Sequence, residues 1–123
     1  MSSYKYDKNN IFFKIINNQV SSDKVYQDDD LIIINDIYPV AEHHFLAIPT
    51  IECVNYDHFL EVADKEVIVI FFVKIKHFIN KMSIQDNCRL IMNNGLGQTI
   101  RHYHVHIISG NTIKKDEILE QMQ

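Results

Sequence analysis

A chain of 123 residues with 46% hydrophobic and 23% charged side chains has the size and composition of one globular domain, neither disordered nor collagen-like. Roughly two-thirds of its unfolded surface can be buried at this length, so a core forms without disulfides or a metal. A net charge of −4 gives no general attraction to phosphate backbones or anionic lipid, which speaks against nucleic-acid and membrane partners but leaves small anionic ligands open.

The first ten residues are polar and lack the apolar run of a secretory leader, so they read as a flexible arm on a cytoplasmic protein. Ile11-Phe12-Phe13-Lys14-Ile15-Ile16 reads as a short helical turn, with a strand as the alternative that periodicity does not settle. Val25-Tyr26, followed by Gln27-Asp28-Asp29-Asp30, predicts a strand ending in an acidic turn, and residues 31–36 a second strand, β-branched and buried. Residues 44–49 predict a third, stopped by Pro49.

The stretch 56–82 is contested. Residues 67–73 have strand propensity, yet Leu60, Ala63, Val67, Ile70, Phe71, Lys74, Ile75 and Phe78 recur at helical spacing, so one main helix is expected. The apolar run ends at Glu66 and Lys74, far short of the ~20 residues a membrane helix requires. Ile68, Val69 and Phe72 fall outside the stripe, and this surplus apolar surface predicts a subunit interface.

Residues 88–93 predict a fourth strand, Asn94-Gly95-Leu96-Gly97-Gln98 a tight polar turn, and residues 100–108 a fifth strand. The charged tail predicts a short helix near residues 115–122. Mostly antiparallel strands with one main helix make an α+β domain over residues 11–110, with the arm at 1–10 and the tail at 111–123. Cys53 and Cys88 are too few for a disulfide framework or a cysteine zinc module, and read as free thiols.

Seven histidines occur in the chain, and His102, His104 and His106 stand at consecutive same-face positions of the fifth predicted strand. Tyr103, Val105 and Ile107 then enter the core. His44 opens a different strand. Two kinds of chemistry fit. Zinc takes two imidazoles at i, i+2 readily, but His102 and His106 lie roughly 13 Å apart along an extended strand, so a metal would recruit His44. Metal-free phosphoryl transfer uses a row of imidazoles as nucleophile, proton donors and hydrogen-bond donors to one phosphate, with Gly95 and Gly97 letting backbone N–H groups approach the anion. Spacing alone leaves both open.

His102-Tyr103-His104-Val105-His106-Ile107-Ile108 resembles the histidine triad pattern, His-φ-His-φ-His-φ-φ with φ apolar, at every position. Residues 11–15 are similar to that superfamily's N-terminal pocket segment. Asp36-Ile37-Tyr38-Pro39-Val40-Ala41 with His44-Phe45-Leu46-Ala47-Ile48-Pro49 resembles its central strand pair, and Asn93-Asn94-Gly95 with Gly97-Gln98-Thr99 its turn before the triad. The N-terminal half looks most like the Hint branch, the histidine triad nucleotide-binding proteins. The runner-up is the fragile-histidine-triad branch, which cleaves dinucleoside polyphosphates; a nucleotide-binding interaction module with slow hydrolysis is the non-enzymatic alternative.

The resemblance implies the five-stranded histidine triad fold, a homodimer with sheets joined across the interface, and purine nucleotide (AMP- or GMP-like) substrates. It implies hydrolysis of nucleoside phosphoramidates with no metal and no cofactor. By resemblance His104 is the nucleophile, His106 and His44 bond the phosphoryl oxygens or orient neighbouring rings, and His102 holds its neighbours in the right tautomer. Thr99 would pass a proton to the leaving amine. Ile11, Phe12, Ile15, Ile34 and Ile37 would sandwich the base, Asp36 would accept from the ribose hydroxyls, and Asn93 would bond ribose or phosphate, with Gly97 and Gln98 completing the nucleotide site. His43, His58 and His77 match no position of the pattern and are expected at the surface. Glu42 and His43 stand where a proline and a small residue are usual, and the turn at 95–98 is short, so the leaving-group preference is the property most open to change.

Overall fold

The computed structural model describes residues 3–112. In chain order these form α1 (Ile11–Ile16), β1 (Lys24–Gln27), β2 (Leu31–Asn35), β3 (Ala41–Pro49), α2 (Tyr56–Val62), α3 (Lys65–Lys81), β4 (Cys88–Ile91) and β5 (Val105–Thr112). The strands make one antiparallel five-stranded sheet in the order β1-β2-β3-β5-β4. The α+β class and the strand count agree with expectation. The helix predicted near residues 115–122 lies outside the described residues.

Both faces of the sheet centre are covered, which explains why β2 reads as an unbroken apolar run rather than an alternating one. Leu31 and Ile33 turn to one side, where Phe45, Ala47, Val105 and Ile107 meet Phe59 of α2 and Phe71, Ile75 and Phe78 of α3. Ile32 and Ile34 turn to the other, with Leu46 and Ile48, against Phe12 and Ile15 of α1. One side thus carries two helices and the other a single short one, α1. The even-numbered positions of β3 and β5, His44 and His106 among them, belong to that thinly covered side.

The expected single helix is two. Asn55 caps α2 by accepting the His58 N–H at 2.9 Å. The chain then turns extended at Ala63 and Asp64 before α3 begins. The break lets two helix axes wrap one aromatic cluster, with Phe59 5.3 Å from Phe71 and 5.1 Å from Tyr103, ring centre to ring centre. It also rotates the apolar stripe. Ile68 and Phe72 pack against the core, whereas Leu60, Val69, Ile70 and Val73 are exposed. Lys74, counted with the stripe, instead reaches Asp28 and Asp30 in the acidic turn after β1.

Five further expectations change. β3 begins at Ala41 rather than His44, and β4 ends at Ile91. β5 begins at Val105, not at 100, because the preceding segment is held by the loop after β3: Tyr103 N–H donates to the Cys53 carbonyl at 2.9 Å. The arm is docked, since Tyr4 O–H donates to Asp57 at 2.8 Å and its ring stacks on His58 at 5.0 Å. His58 itself is buried, correcting the surface assignment, and its Nδ1 accepts the Val54 N–H at 2.9 Å. His77 is exposed and His43 half-buried.

Phe71 sits at the centre of this cluster and is 1% exposed. Phe71→Ala should therefore lower the unfolding free energy by about 3–5 kcal/mol, measured as a shift in urea midpoint at unchanged m-value.

Candidate active site

The ladder between β3 and β5 builds the site. Leu46 stands opposite His106 and His44 opposite Ile108, so His44 and His106 are diagonal neighbours on one face. Their rings lie 5.1 Å apart and His104 adds a third ring 5.2 Å from His106. All three are buried, as is His102.

Hydrogen bonds fix the tautomers. His104 Nδ1 lies 2.7 Å from the His102 carbonyl, which can only accept. The ring proton of His104 is therefore on Nδ1, and Nε2 keeps its lone pair. His44 Nδ1 accepts the Val40 N–H at 3.1 Å, so its proton is on Nε2, 2.9 Å from His106 Nδ1 and 3.2 Å from an Asp36 oxygen. His102 is oriented by Nε2–H donating to the Pro49 carbonyl at 2.8 Å. Desolvation lowers the His44 pKa against the opposing pull of Asp36, and burial brings His102 down to about 4. A neutral imidazole is what a nucleophilic row requires.

Asp36, His44 and His106 also bring three potential metal-ligand atoms within 4.8 Å of one another. A metal at His44 Nε2 would have to displace the proton placed there by the Val40 contact. The arrangement is therefore better satisfied as a hydrogen-bonded chain than as a ligand set.

Beside the row, on the same side of the sheet, lies a cavity of about 260 Å³, small for a drug-sized ligand and suited to one bicyclic ring. Ile11, Phe12, Ile15, Ile34, Asp36 and Ile37 all line it, which brings together six of the predicted nucleotide-binding residues. Phe12 also meets the His104 ring edge-to-face at 4.9 Å, so one side chain borders both the cavity and the histidine row. Asp36 is already engaged, one oxygen accepting the Tyr38 N–H at 2.9 Å and the other facing His44. Each carboxylate oxygen retains a further lone pair for a hydroxyl in the cavity.

The remaining predicted residues lie in the turn before β5 and do not line this cavity. Gly95 and Gly97 adopt φ of +86° and +76°, which favours glycine at both. Asn93 lies under Gly97, and its Nδ2 is buried without a hydrogen-bond partner among the described residues. Gln98 is a clamp. It donates to the Val54 and Ile100 carbonyls and accepts from Gly95 N–H and Arg101, so its amide is committed to holding the turn against the loop after β3. Thr99 is exposed.

Sequence reasoning missed Ser22, whose hydroxyl lines the cavity, is buried and has no hydrogen-bond partner among the described residues. It also missed Tyr6, 2.5 Å from His102 Nδ1. Neither carries a signal in the linear pattern. Cys53 is buried, which pushes its thiol up to about 12 and leaves it unreactive.

Comparison with known proteins gives concordant likenesses. A family model described as scavenger mRNA decapping enzyme C-term binding matches residues 9–118. An uncharacterized HIT-like protein of Rickettsia prowazekii is 37% identical over 111 residues, spanning 88% of this chain and 92% of its own length. The purine nucleoside phosphoramidase of Escherichia coli is 33% identical over 105 residues, spanning 84% and 88%. Among solved structures, a Hit-like protein from Bartonella henselae superposes with a TM-score of 0.74 at 35% identity, covering 95% of this chain and 93% of that one. A histidine triad protein from Clostridium difficile gives 0.72 at 32% identity, covering 89% and 97%.

The pKa of His102 generates a prediction whose sign follows from proton linkage. Unfolded, the ring binds a proton near pH 6.5; folded, it resists until about 4. Its contribution is thus complete above 6.5 and is lost as the pH falls toward 4, amounting to about 3 kcal/mol across that window. Unfolding free energies from urea titrations between pH 7 and pH 4 should fall by about that much more in the wild type than in His102→Gln.

Proposed function

The chain belongs to the histidine triad superfamily, and from that premise we propose that it hydrolyses purine nucleoside phosphoramidates, releasing a nucleoside monophosphate and an amine. The observation that carries this reading is the His104 tautomer: Nδ1–H donates to the His102 carbonyl and Nε2 presents a lone pair. Support for the substrate class comes from the apolar cavity beside that ring and from the likeness to a purine nucleoside phosphoramidase.

In the proposed reaction the purine enters between Phe12, Ile15, Ile34 and Ile37, with Asp36 accepting from the ribose. His104 Nε2 attacks the α-phosphorus and forms a phosphorus–nitrogen bond as the bond to the leaving amine breaks. The amine departs with the electron pair and a proton, without which it leaves poorly; Thr99 is the proposed relay, its hydroxyl passing one proton on and regaining one from solvent. Water then attacks the nucleotidyl-histidine and the electron pair returns to His104. His106, held by His44, hydrogen-bonds the phosphoryl oxygens where charge builds up. The histidine chain supplies this chemistry without a metal.

A homodimer belongs to the same proposal. β4 is an edge strand, and it exposes Leu90, with Met92 exposed just beyond it. Helix α3 adds exposed Val69, Ile70 and Val73. Surfaces of this kind are covered in stable proteins. Sedimentation should give twice the chain mass, and Val69→Glu/Val73→Glu should shift it toward one; a wild-type monomer at micromolar concentration would refute the assembly.

The reaction is tested by AMP release from adenosine 5′-phosphoramidate in excess EDTA. Wild type should turn over, and His104→Ala should lose about a thousandfold or more. Release that required added zinc would give the site to metal chemistry. Cleavage of a dinucleoside polyphosphate without cleavage of the phosphoramidate would move the protein to the other branch.

A further inference from the structure

His102 is completely buried, and its ring is held at both nitrogens. One partner is the Pro49 carbonyl, which can only accept, so Nε2 of His102 carries the proton and Nδ1 the lone pair. The other partner is Tyr6, 2.5 Å away, and it must therefore donate its O–H to Nδ1. The tyrosine ring meets the imidazole edge-on at 5.4 Å and 77°, and packs against Phe13 of α1 at 6.2 Å. Burial keeps the phenol protonated, pushed up to about 12, so it remains a donor throughout the neutral range.

The His102 main chain does a second job. Its carbonyl accepts the Nδ1–H of His104 at 2.7 Å. A ring pinned by two hydrogen bonds fixes the orientation of the residue, and with it the direction of that carbonyl. The chain Tyr6–His102–His104 therefore runs from the segment ahead of α1 to the nucleophile.

We propose that Tyr6 is a positioning residue: its hydroxyl, opposite the Pro49 carbonyl, holds the His102 ring in a single orientation and so fixes the His102 carbonyl that keeps the Nε2 lone pair of His104 aimed at phosphorus. This rests on His104 being the nucleophile. Tyr6 touches neither the cavity nor the reacting atoms in this scheme; it acts through His102. Tyr4 provides the contrast. It anchors the same segment through Asp57 and His58 of α2, so a purely mechanical strap would depend on both tyrosines equally.

Tyr6→Phe keeps the ring contacts and deletes only the hydroxyl. Its kcat for adenosine phosphoramidate should fall on the order of tenfold, with KM within about twofold because the cavity is untouched. In long-range proton–nitrogen spectra of the imidazoles, wild type should show His102 as the Nε2–H form and His104 as the Nδ1–H form, and Tyr6→Phe should keep the His102 form but show mixed tautomers at His104. Tyr4→Phe should match wild type in both measurements. A Tyr6→Phe enzyme with wild-type kcat and unchanged imidazole signals would overturn the proposal, as would equal losses in Tyr4→Phe. If wild type does not cleave the phosphoramidate, the proposed reaction fails, and the imidazole spectra of the two variants alone decide the role of Tyr6.

Discussion

The pairing of β3 with β5 is the constraint on which the rest depends. Strand side chains alternate faces without exception, so setting Leu46 opposite His106 determines at one stroke what each face receives. Val105 and Ile107 join Phe45 and Ala47 beneath α2 and α3. His106 falls beside His44 on the side covered by α1 alone. A slip of one residue would bury the imidazoles among Phe59, Phe71 and Ile75 and present isoleucine to the cavity. Core and site are thus specified by the same register, and the apolar residues that stabilise the fold are also what keep the histidines in place.

Burial sets the electrostatics. Four imidazoles are withdrawn from water, and burial lowers the pKa of His44 and His102, because a charged ring without solvent is costly. Neutral rings have one donor and one acceptor each, and the main chain chooses which is which. The carbonyls of His102 and Pro49 and the N–H of Val40 each dictate a tautomer. Backbone groups are rigid, so the assignment is preorganised rather than made when substrate arrives. Among the described residues Asp36 is the carboxylate drawn into this cluster, and it sits where the chain of imidazoles meets the cavity wall.

The thin side of the sheet therefore holds both the histidine row and the cavity. α1 is only six residues long, too short to seal the sheet, and the gap it leaves is the cavity. Phe12 packs in the core, lines that gap and meets His104. Its contribution to stability and its contribution to the site are the same contacts.

The sequence by itself determined the α+β class, the strand segments, the short α1 and the identity of the histidine row with the apolar residues that line the cavity. The strand segments, the class and the same-face histidine row follow from period-two and period-3.6 patterns, which are local and survive in a linear string, while the cavity residues are implied by the resemblance to the histidine triad pattern. What only the tertiary structure decided lies in contacts between distant segments. The helix stretch breaks at Ala63 because two axes are needed to enclose Phe59, Phe71 and Tyr103, and no residue there announces it. Gln98 looks like a ligand group in the string, yet it is the clamp on Val54. The segment ahead of α1 looks solvated, yet Tyr6 reaches a histidine 96 positions away. Such hydrogen bonds depend on where the backbone passes in space, and a polar side chain in a sequence carries no mark of the partner that folding will bring to it.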